Sequence, residues 1–363
     1  MNRSQFKTLS KTLLILIPMV VLQSCGFLNK TMEKVGIGKN GGGDIAGDGL
    51  DGLANGEIIA TARKGYKQTA PTGMVLIPSG SYTMGQADQD ILSSRVSMNK
   101  RVTINPFYMD DTEITNIEYR TFVNYMFADS VSVLGEEYIT SKLSPDSTVW
   151  SRDFSYHNGD QMTEYYFSSP AFDTYPVVGV SWDAAQYFSD WRTKSYNAFR
   201  EENSQFKSPR FRLPSEAEWE WAARGGKEGA KYPWGNPYVA NGKGCFLANF
   251  KPYRGNYRAD GYSYTAPSNS FNTNDFGLYN MAGNVSEWTQ DAYSESYMAI
   301  TWDLNPVYDD PDEPRKVIKG GSWKDVAYFL ETGTTTFEYR STTRSYIGFR
   351  NVMDRLGSIP GRE

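Results

Sequence analysis

The chain has 363 residues, of which 37 are Lys or Arg, 42 are Asp or Glu, one is His and two are Cys, for a formal net charge of -5. The single histidine, His157, lies in the polar stretch Ser155-Tyr156-His157-Asn158-Gly159 and reads as a solvated loop residue rather than a base or ligand, so a histidine-dependent triad is not expected, and its count alone excludes a histidine-rich zinc site. The acidic balance argues against nucleic acid or anionic headgroups as partners, because both need a basic face.

At the start of the chain Arg3, Lys7 and Lys11 precede an apolar run from Leu13 to Leu22, closed by Leu22-Gln23-Ser24-Cys25-Gly26. The run is about half the ~20 residues that a bilayer-spanning helix needs. With a small residue at its end it reads as a bacterial lipoprotein signal, residues 1–24, removed ahead of a lipidated Cys25. Several acyl chains on Cys25 anchor stably where one would be marginal. Removal of the signal takes the formal charge from -5 to -8. Cys245 then has no partner in the mature chain, which excludes a disulfide framework. It is expected to be a small buried hydrophobe.

Residues 25–72 are read as a tether. From Gly36 to Glu57 the sequence is Gly- and Asp-rich with no apolar period, so it cannot build a core. A chain of that character from Cys25 to Met74 would have an end-to-end distance on the order of 40 Å. The fragment Gly47-Asp48-Gly49-Leu50-Asp51-Gly52 looks like one calcium-binding β-helix repeat, but such repeats need several copies to stack.

From Gly73 to Arg355 the composition becomes aromatic-rich, and a single domain of about 280 residues is expected, with a short tail over 356–363. Met74-Val75-Leu76-Ile77-Pro78 and Ser81-Tyr82-Thr83-Met84-Gly85 alternate like strands and predict a hairpin with each other. Thr115 and Glu118 have capping-box spacing ahead of Tyr119, Phe122 and Val123, which share one helical face. Phe127–Pro170 is polar and acidic and is expected to be a loop-rich surface insertion, with His157 as a solvated loop residue. Ser181 caps a helix carrying Trp182, Ala185, Phe188 and Trp191. Ser215 and Glu218 repeat the capping box before Trp219, Trp221, Ala222 and Ala223, and Gly225-Gly226 stops that helix.

Two constellations have the chemistry of a hard, oxygen-seeking cation. Asn249-Phe250 with Asp260-Gly261-Tyr262 offers a carboxylate, an amide oxygen and two backbone carbonyls; Asn280, Gly283, Val285 and Glu287 offer a second set within eight residues. By spacing alone, the same Asn and Glu side chains equally read as turn caps.

The motifs Met74 to Gly85, Glu113-Ile114-Thr115-Asn116, Pro176 to Trp182, Arg212 to Gly226, Tyr232-Pro233-Trp234-Gly235, Gly277 to Trp288, Lys316 to Trp323 and Gly348-Phe349-Arg350 follow one another in order. Together they resemble the formylglycine-generating-enzyme, or sulfatase-modifying-factor, domain. The resemblance implies an α+β single domain with sparse regular secondary structure, related to C-type lectin-like domains. It implies two structural calcium sites, at Asn249, Phe250, Asp260 and Tyr262 and at Asn280, Gly283, Val285 and Glu287. The tryptophans at 182, 191, 219, 221, 234, 288 and 323 fall in or beside the motifs and are expected to be core rather than ligand-binding.

In the resembled family two copper-binding cysteines follow the Gly-Gly-Ser. Here those positions hold Asp325 and Leu330, and copper(I) needs soft thiolates. The expectation is therefore a domain without copper and without the oxidase activity. The lipoprotein signal, the tether and the missing cysteines together resemble the GldK (PorK) lipoproteins of type IX secretion and gliding motility, with GldJ as the neighbouring family. That resemblance implies an outer-membrane lipoprotein facing the periplasm, self-associated in a ring with a GldN/PorN-like partner. The alternatives are a monomeric lectin-like module binding glycan or protein cargo and, against the residues at 325 and 330, a formylglycine-generating oxidase.

Overall fold

The computed structural model describes residues 68–85, 99–153, 161–252, 256 and 258–357. The expected signal, Cys25, the tether up to residue 67, His157 and the tail from residue 358 lie outside them.

Strands β1 (Met74–Ile77) and β2 (Gly80–Met84) do not pair with each other, contrary to the sequence expectation. The partner of β1 is β4 (Phe107–Asp110), with Met74 opposite Asp110, and the partner of β2 is β3 (Lys100–Ile104), with Gly80 opposite Ile104. Both pairs share one register, so β1–β2 and β3–β4 are the two arms of a single long antiparallel ribbon. The arms break at Pro78 and Pro106, which have no N–H to give to the ladder. Two alternating runs so close in sequence looked like a hairpin because a break within one arm and a turn between two arms leave the same residues behind.

The ribbon feeds a four-stranded sheet ordered β1-β4-β10-β5, where β5 is Phe211–Arg212 and β10 is Val352–Asp354. A second four-stranded sheet is ordered β8-β7-β6-β9, with β6 at Ser286–Ala292, β7 at Arg315–Lys319, β8 at Thr336–Tyr339 and β9 at Ile347–Gly348. Only Phe349, Arg350 and Asn351 separate β9 from β10, so this short link joins the two sheets.

The three helices form where their caps place them. In α1 (Asn116–Tyr125) the Glu118 carboxylate accepts from the Thr115 N–H at 2.8 Å. In α2 (Trp182–Glu202) the Ser181 hydroxyl accepts from the Ala184 N–H at 3.2 Å. In α3 (Glu216–Arg224) Ser215 and Glu218 cap reciprocally, and Gly225 ends the helix in the left-handed region. The Tyr119 ring of α1 stacks on Phe188 of α2 with centroids 5.6 Å apart, beside buried Phe122 and Trp191.

Two further expectations are corrected. Where it is described, the stretch 127–170 forms short helical segments, among them Ile139–Leu143, Thr148–Asp153 and Gln161–Tyr165, rather than a loop-rich insertion. Ile139 and Leu143 join the core around α1 and α2, and Trp150 stacks on Trp323 at 6.1 Å. Each segment contributes only one or two apolar residues, so no single period shows in the sequence. Cys245 is exposed rather than buried. The Asn241 side chain caps its backbone N–H at 3.0 Å in a tight turn, and the next residue, Phe246, takes the inward place against Phe250.

Candidate functional site

Both faces of β6 are covered, so its charged residues cannot reach water. Glu287 is 0% exposed. Its Oε1 accepts from Arg350 Nη2 at 2.7 Å, and its Oε2 accepts from Arg350 Nε and from Trp219 Nε1, each at 2.7 Å. The link between the sheets thus delivers a guanidinium to the first β6 carboxylate. Arg350 also donates Nη1 to the Asp110 carbonyl at 3.1 Å and Nη2 to the Tyr279 carbonyl at 2.9 Å. The Asp110 carboxylate is in turn held by Arg192 at 2.8 and 2.9 Å and by the Asn351 N–H at 2.9 Å. One connected polar spine therefore runs through the interior, every charged member hydrogen-bonded, which is the condition for tolerating buried charge.

Beside it lies Glu113, also 0% exposed. Asn284 Nδ2 donates to its Oε1 at 2.9 Å and Asn280 Nδ2 to its Oε2 at 3.2 Å. Asn280 and Asn284 adopt positive φ of 51° and 65°, a region that asparagine enters more readily than most residues. With Glu287 claiming Arg350 in bidentate fashion, Glu113 is the surplus carboxylate. Burial pushes it up to about 7, against the pull of Arg350 and with a further push from the Glu287 charge.

That shift has a sign. An unfolded glutamate titrates near about 4.3, so between there and about pH 7 the folded chain holds a proton that the unfolded chain has released. Stability therefore falls as pH rises through this window, and the loss is complete above it. Asp291 adds to the same trend, because burial, with the Glu216 charge second, pushes it up to about 7 as well. The melting temperature is expected to be several degrees higher at about pH 5.5 than at about pH 8. Calorimetry on Glu113→Gln should show a clearly flatter dependence than the parent, whatever its absolute stability.

The first candidate cation set adjoins this spine. Asn249 is buried and its Nδ2 donates to the Tyr264 carbonyl at 2.8 Å and to Asn284 Oδ1 at 3.2 Å; the Asn284 N–H returns to the Asn249 carbonyl at 2.8 Å. The Asp260 carboxylate accepts from the Phe250 N–H at 2.8 Å and from the Tyr262 N–H at 3.2 Å. Of the four residues named from sequence, Phe250 and Tyr262 are thus tied to the Asp260 carboxylate by their backbone N–H groups, while the Asn249 side chain turns to Tyr264 and Asn284. Burial raises Asp260 above the usual carboxylate range. Both Asp260 oxygens thus cap backbone N–H groups, and Asp260 with Asn249 Oδ1 are the side-chain oxygens this set could offer a hard cation; among the described residues no group of three or more Asp, Glu, His or Cys side chains is placed to hold a metal ion.

The second set is arranged differently from the expectation. Asn280, Gly283 and Val285 line the turn entering β6, but Arg350 already balances the Glu287 charge. The uncompensated carboxylate is Glu113, which was not among the named ligands. A cation near Asn280 would act on Glu113 as much as on Glu287.

Asp325 and Leu330 lie against the same loops. The Asp325 carbonyl accepts from the Lys251 N–H at 2.9 Å, and its Oδ2 accepts from the Ser322 hydroxyl at 2.6 Å. Burial raises the Asp325 carboxyl above its ordinary range, with the Ser322 hydrogen bond opposing. Leu330 is 0% exposed and packs with Tyr232, Ala248, Phe250 and Ala282. Asp325 and Leu330 therefore sit beside the first candidate set, one as a hydrogen-bonded carboxylate and the other as part of an apolar cluster.

Sequence reading assigned no chemistry to Glu113, Asn284, Arg350, Asp110 or Arg192. It also missed a second interior cluster, in which Lys319 Nζ lies 3.5 Å from Glu216 and 3.3 Å from Glu220, with Arg224 paired to Glu220 at 2.7 Å. A signal was present in α3, whose Glu216 and Glu220 alternate with Trp219, Ala222 and Ala223 so closely that no face of the helix is free for solvent.

The model of one family, the sulfatase-modifying factor enzyme 1-like domain, matches residues 60–355. The formylglycine-generating enzyme of Bos taurus is 31% identical over 317 residues, covering 80% of this chain and 77% of that protein. A protein named inactive C-alpha-formylglycine-generating enzyme 2, also of Bos taurus, is 30% identical over 297 residues, 78% of this chain and 86% of that protein. Among solved structures, PvdO from Pseudomonas aeruginosa shares the fold with a TM-score of 0.55 at 23% identity, covering 78% of this chain and 94% of that chain. The chain belongs to the sulfatase-modifying factor enzyme 1-like domain family.

Proposed function

We propose that this chain is a non-catalytic structural lipoprotein, anchored through Cys25 in the outer membrane and facing the periplasm, where it self-associates with a GldN/PorN-like partner in the ring of a type IX secretion and gliding-motility machine. Leu330 carries the non-catalytic part of the reading. The resemblance assigns position 330 to a copper-binding thiolate, and the leucine there has no ligand atom and is sealed into an apolar cluster. The name of the inactive bovine relative supports the same step, since a family member can keep the domain without the activity. The anchor and the ring rest on the signal-like start of the sequence and its resemblance to the GldK (PorK) lipoproteins.

The test is affinity purification of a tagged full-length copy from detergent-solubilised outer membranes, with imaging of the eluate. Large assemblies containing a second protein at fixed ratio are expected. A free monomer without a partner overturns the scaffold reading.

In this reading calcium is structural at both candidate sets. Chelation is expected to lower the melting temperature by several degrees, and Asp260→Asn should remove the part owed to the first set. Glu287→Ala is not a clean probe, because it strips Arg350 of its counter-ion whether or not calcium binds. An identical melt with and without chelator would remove calcium from the account.

The lectin-like alternative draws on one feature, an open groove of about 780 Å³ between the 139–146 segment and the start of α2. Tyr138 and Tyr187 line it with Asp183, Asp190 and Arg340, an aromatic and polar mix suited to a sugar. Glycan-array binding by a monomeric soluble domain would favour it.

A further inference from the structure

The strands β6 and β7 are antiparallel neighbours that a turn of a few residues could join, yet the chain takes 22 residues, 293–314, to pass between them. The excursion is well anchored. Thr103 of β3 donates its N–H to the Asp303 carbonyl at 2.7 Å and accepts from the Asn305 N–H at 2.8 Å, so this stretch lies along β3 as a parallel bridge. Below it Tyr297 is buried, and the Tyr308 N–H donates to Asp291 at 2.7 Å.

On this fixed backbone four large apolar side chains point outward. Trp302 is 85% exposed, Leu304 58%, Ile300 50% and Val307 41%. A tryptophan held almost fully in water on an anchored backbone, with aliphatic neighbours, is the composition of an interface centre rather than of ordinary surface. The charges of its own segment have one sign. From Asp291 to Glu313 there are seven acidic residues and no Lys or Arg, and of these Glu295, Asp303, Asp309 and Asp312 are exposed. Lys100 pairs with Asp303 at 3.1 Å, Lys316 approaches Asp309 at 3.8 Å and Arg315 pairs with Glu313 at 2.7 Å, which leaves Glu295, Asp310 and Asp312 as the acidic surplus of the rim.

We infer that residues 300–312 form a docking surface for a protein other than this chain, one that presents a basic rim around an apolar pocket for Trp302. Charge complementarity selects that occupant. A second copy docking through the same surface is disfavoured, because it would set the exposed Glu295, Asp303, Asp309 and Asp312 against their own like charges. The inference rests on the scaffold reading and names the surface through which the scaffold takes its partner.

The test places a photo-crosslinking phenylalanine analogue at Trp302 in the full-length protein in its host, and identifies the crosslinked peptide by mass spectrometry. The crosslinked protein is then purified and its affinity for the full-length chain measured for the parent, Trp302→Ala and Asp309→Asn/Asp312→Asn. Support requires three results together: a contact peptide of net positive charge, an affinity at least about tenfold weaker for Trp302→Ala with its melting temperature unchanged, and a salt dependence reduced in the double Asn variant. An adduct with a second copy only, an uncharged or acidic contact peptide, the absence of any adduct, or indifference to Trp302→Ala overturns the inference. Detergent-extracted assemblies that persist in Trp302→Ala sink the docking surface and leave the scaffold reading standing, whereas a parent protein that forms no assembly sinks that reading itself.

Discussion

Replacing Arg350 by alanine is expected to cost the fold about 3–5 kcal/mol, since it leaves the Glu287 charge in the interior without its partner. Against a total stability of about 5–15 kcal/mol, that is enough to bring much of the protein down as insoluble material. The size follows from what the guanidinium does: it makes two bonds of 2.7 Å to Glu287, and also donates to the carbonyls of Asp110 and Tyr279. Removing it leaves four acceptors short of a donor and two carboxylates, Glu287 and Glu113, facing one another's charge. Lysine should not repair the loss, because a single ammonium cannot reproduce a planar bidentate fork. The discriminating variant is the double replacement Arg350→Met/Glu287→Gln, which removes the pair together and should recover part of the stability lost by Arg350→Ala. Urea midpoints for the three variants decide the matter. If Arg350→Ala unfolds at the parent midpoint, the spine is not what joins the two sheets.

The legible part of this fold was the part encoded locally. Thr115 with Glu118, Ser181, and Ser215 with Glu218 announce three helix starts because a cap is a bond between residues three positions apart, and the structure has those bonds. Strand pairing is not local, and the break at Pro78 looked like a turn because nothing in the sequence says which of two arms a proline belongs to. Cys245 was misplaced for a related reason: burial of a small thiol is a tendency of the residue type, and the Asn241 turn decides against it. The same distinction applies to the site. Asn249, Phe250, Asp260 and Tyr262 span 14 positions and come together through short loops. Glu287 and Arg350 lie 63 positions apart, and Glu113 and Asn284 lie 171 apart. Motif resemblance marked these residues as belonging to the family without showing that they meet, so Glu287 was read as a cation ligand and Arg350 as sequence signature only.

The loop holding the two candidate sets together makes the second large prediction. Gly283 has a φ of +79°, and a Cβ there would sit 2.3 Å from the Asn249 carbonyl oxygen and 3.1 Å from its carbon. Neither side can retreat. The Asn249 carbonyl accepts from the Asn284 N–H, its side chain is fixed to Tyr264 and Asn284, and the Gly283 N–H is held by the Gly320 carbonyl at 2.9 Å. Gly283→Ala is therefore expected to cost roughly 3 kcal/mol or more, of which about 1–2 kcal/mol is the left-handed backbone and the rest is displacement of Asn249. Gly277 separates the two contributions. Its φ is +85°, but its added Cβ would meet only Val75 Cγ1 at 3.8 Å, an ordinary contact, so Gly277→Ala should lose the backbone part alone. Because Asn249 belongs to the first candidate set, the clash should also weaken any response of the melt to chelation, while Gly277→Ala leaves that response as in the parent. Equal losses in the two alanine variants would mean that the Asn249 loop yields, and that the close approach of the two loops is not what fixes the geometry of either set.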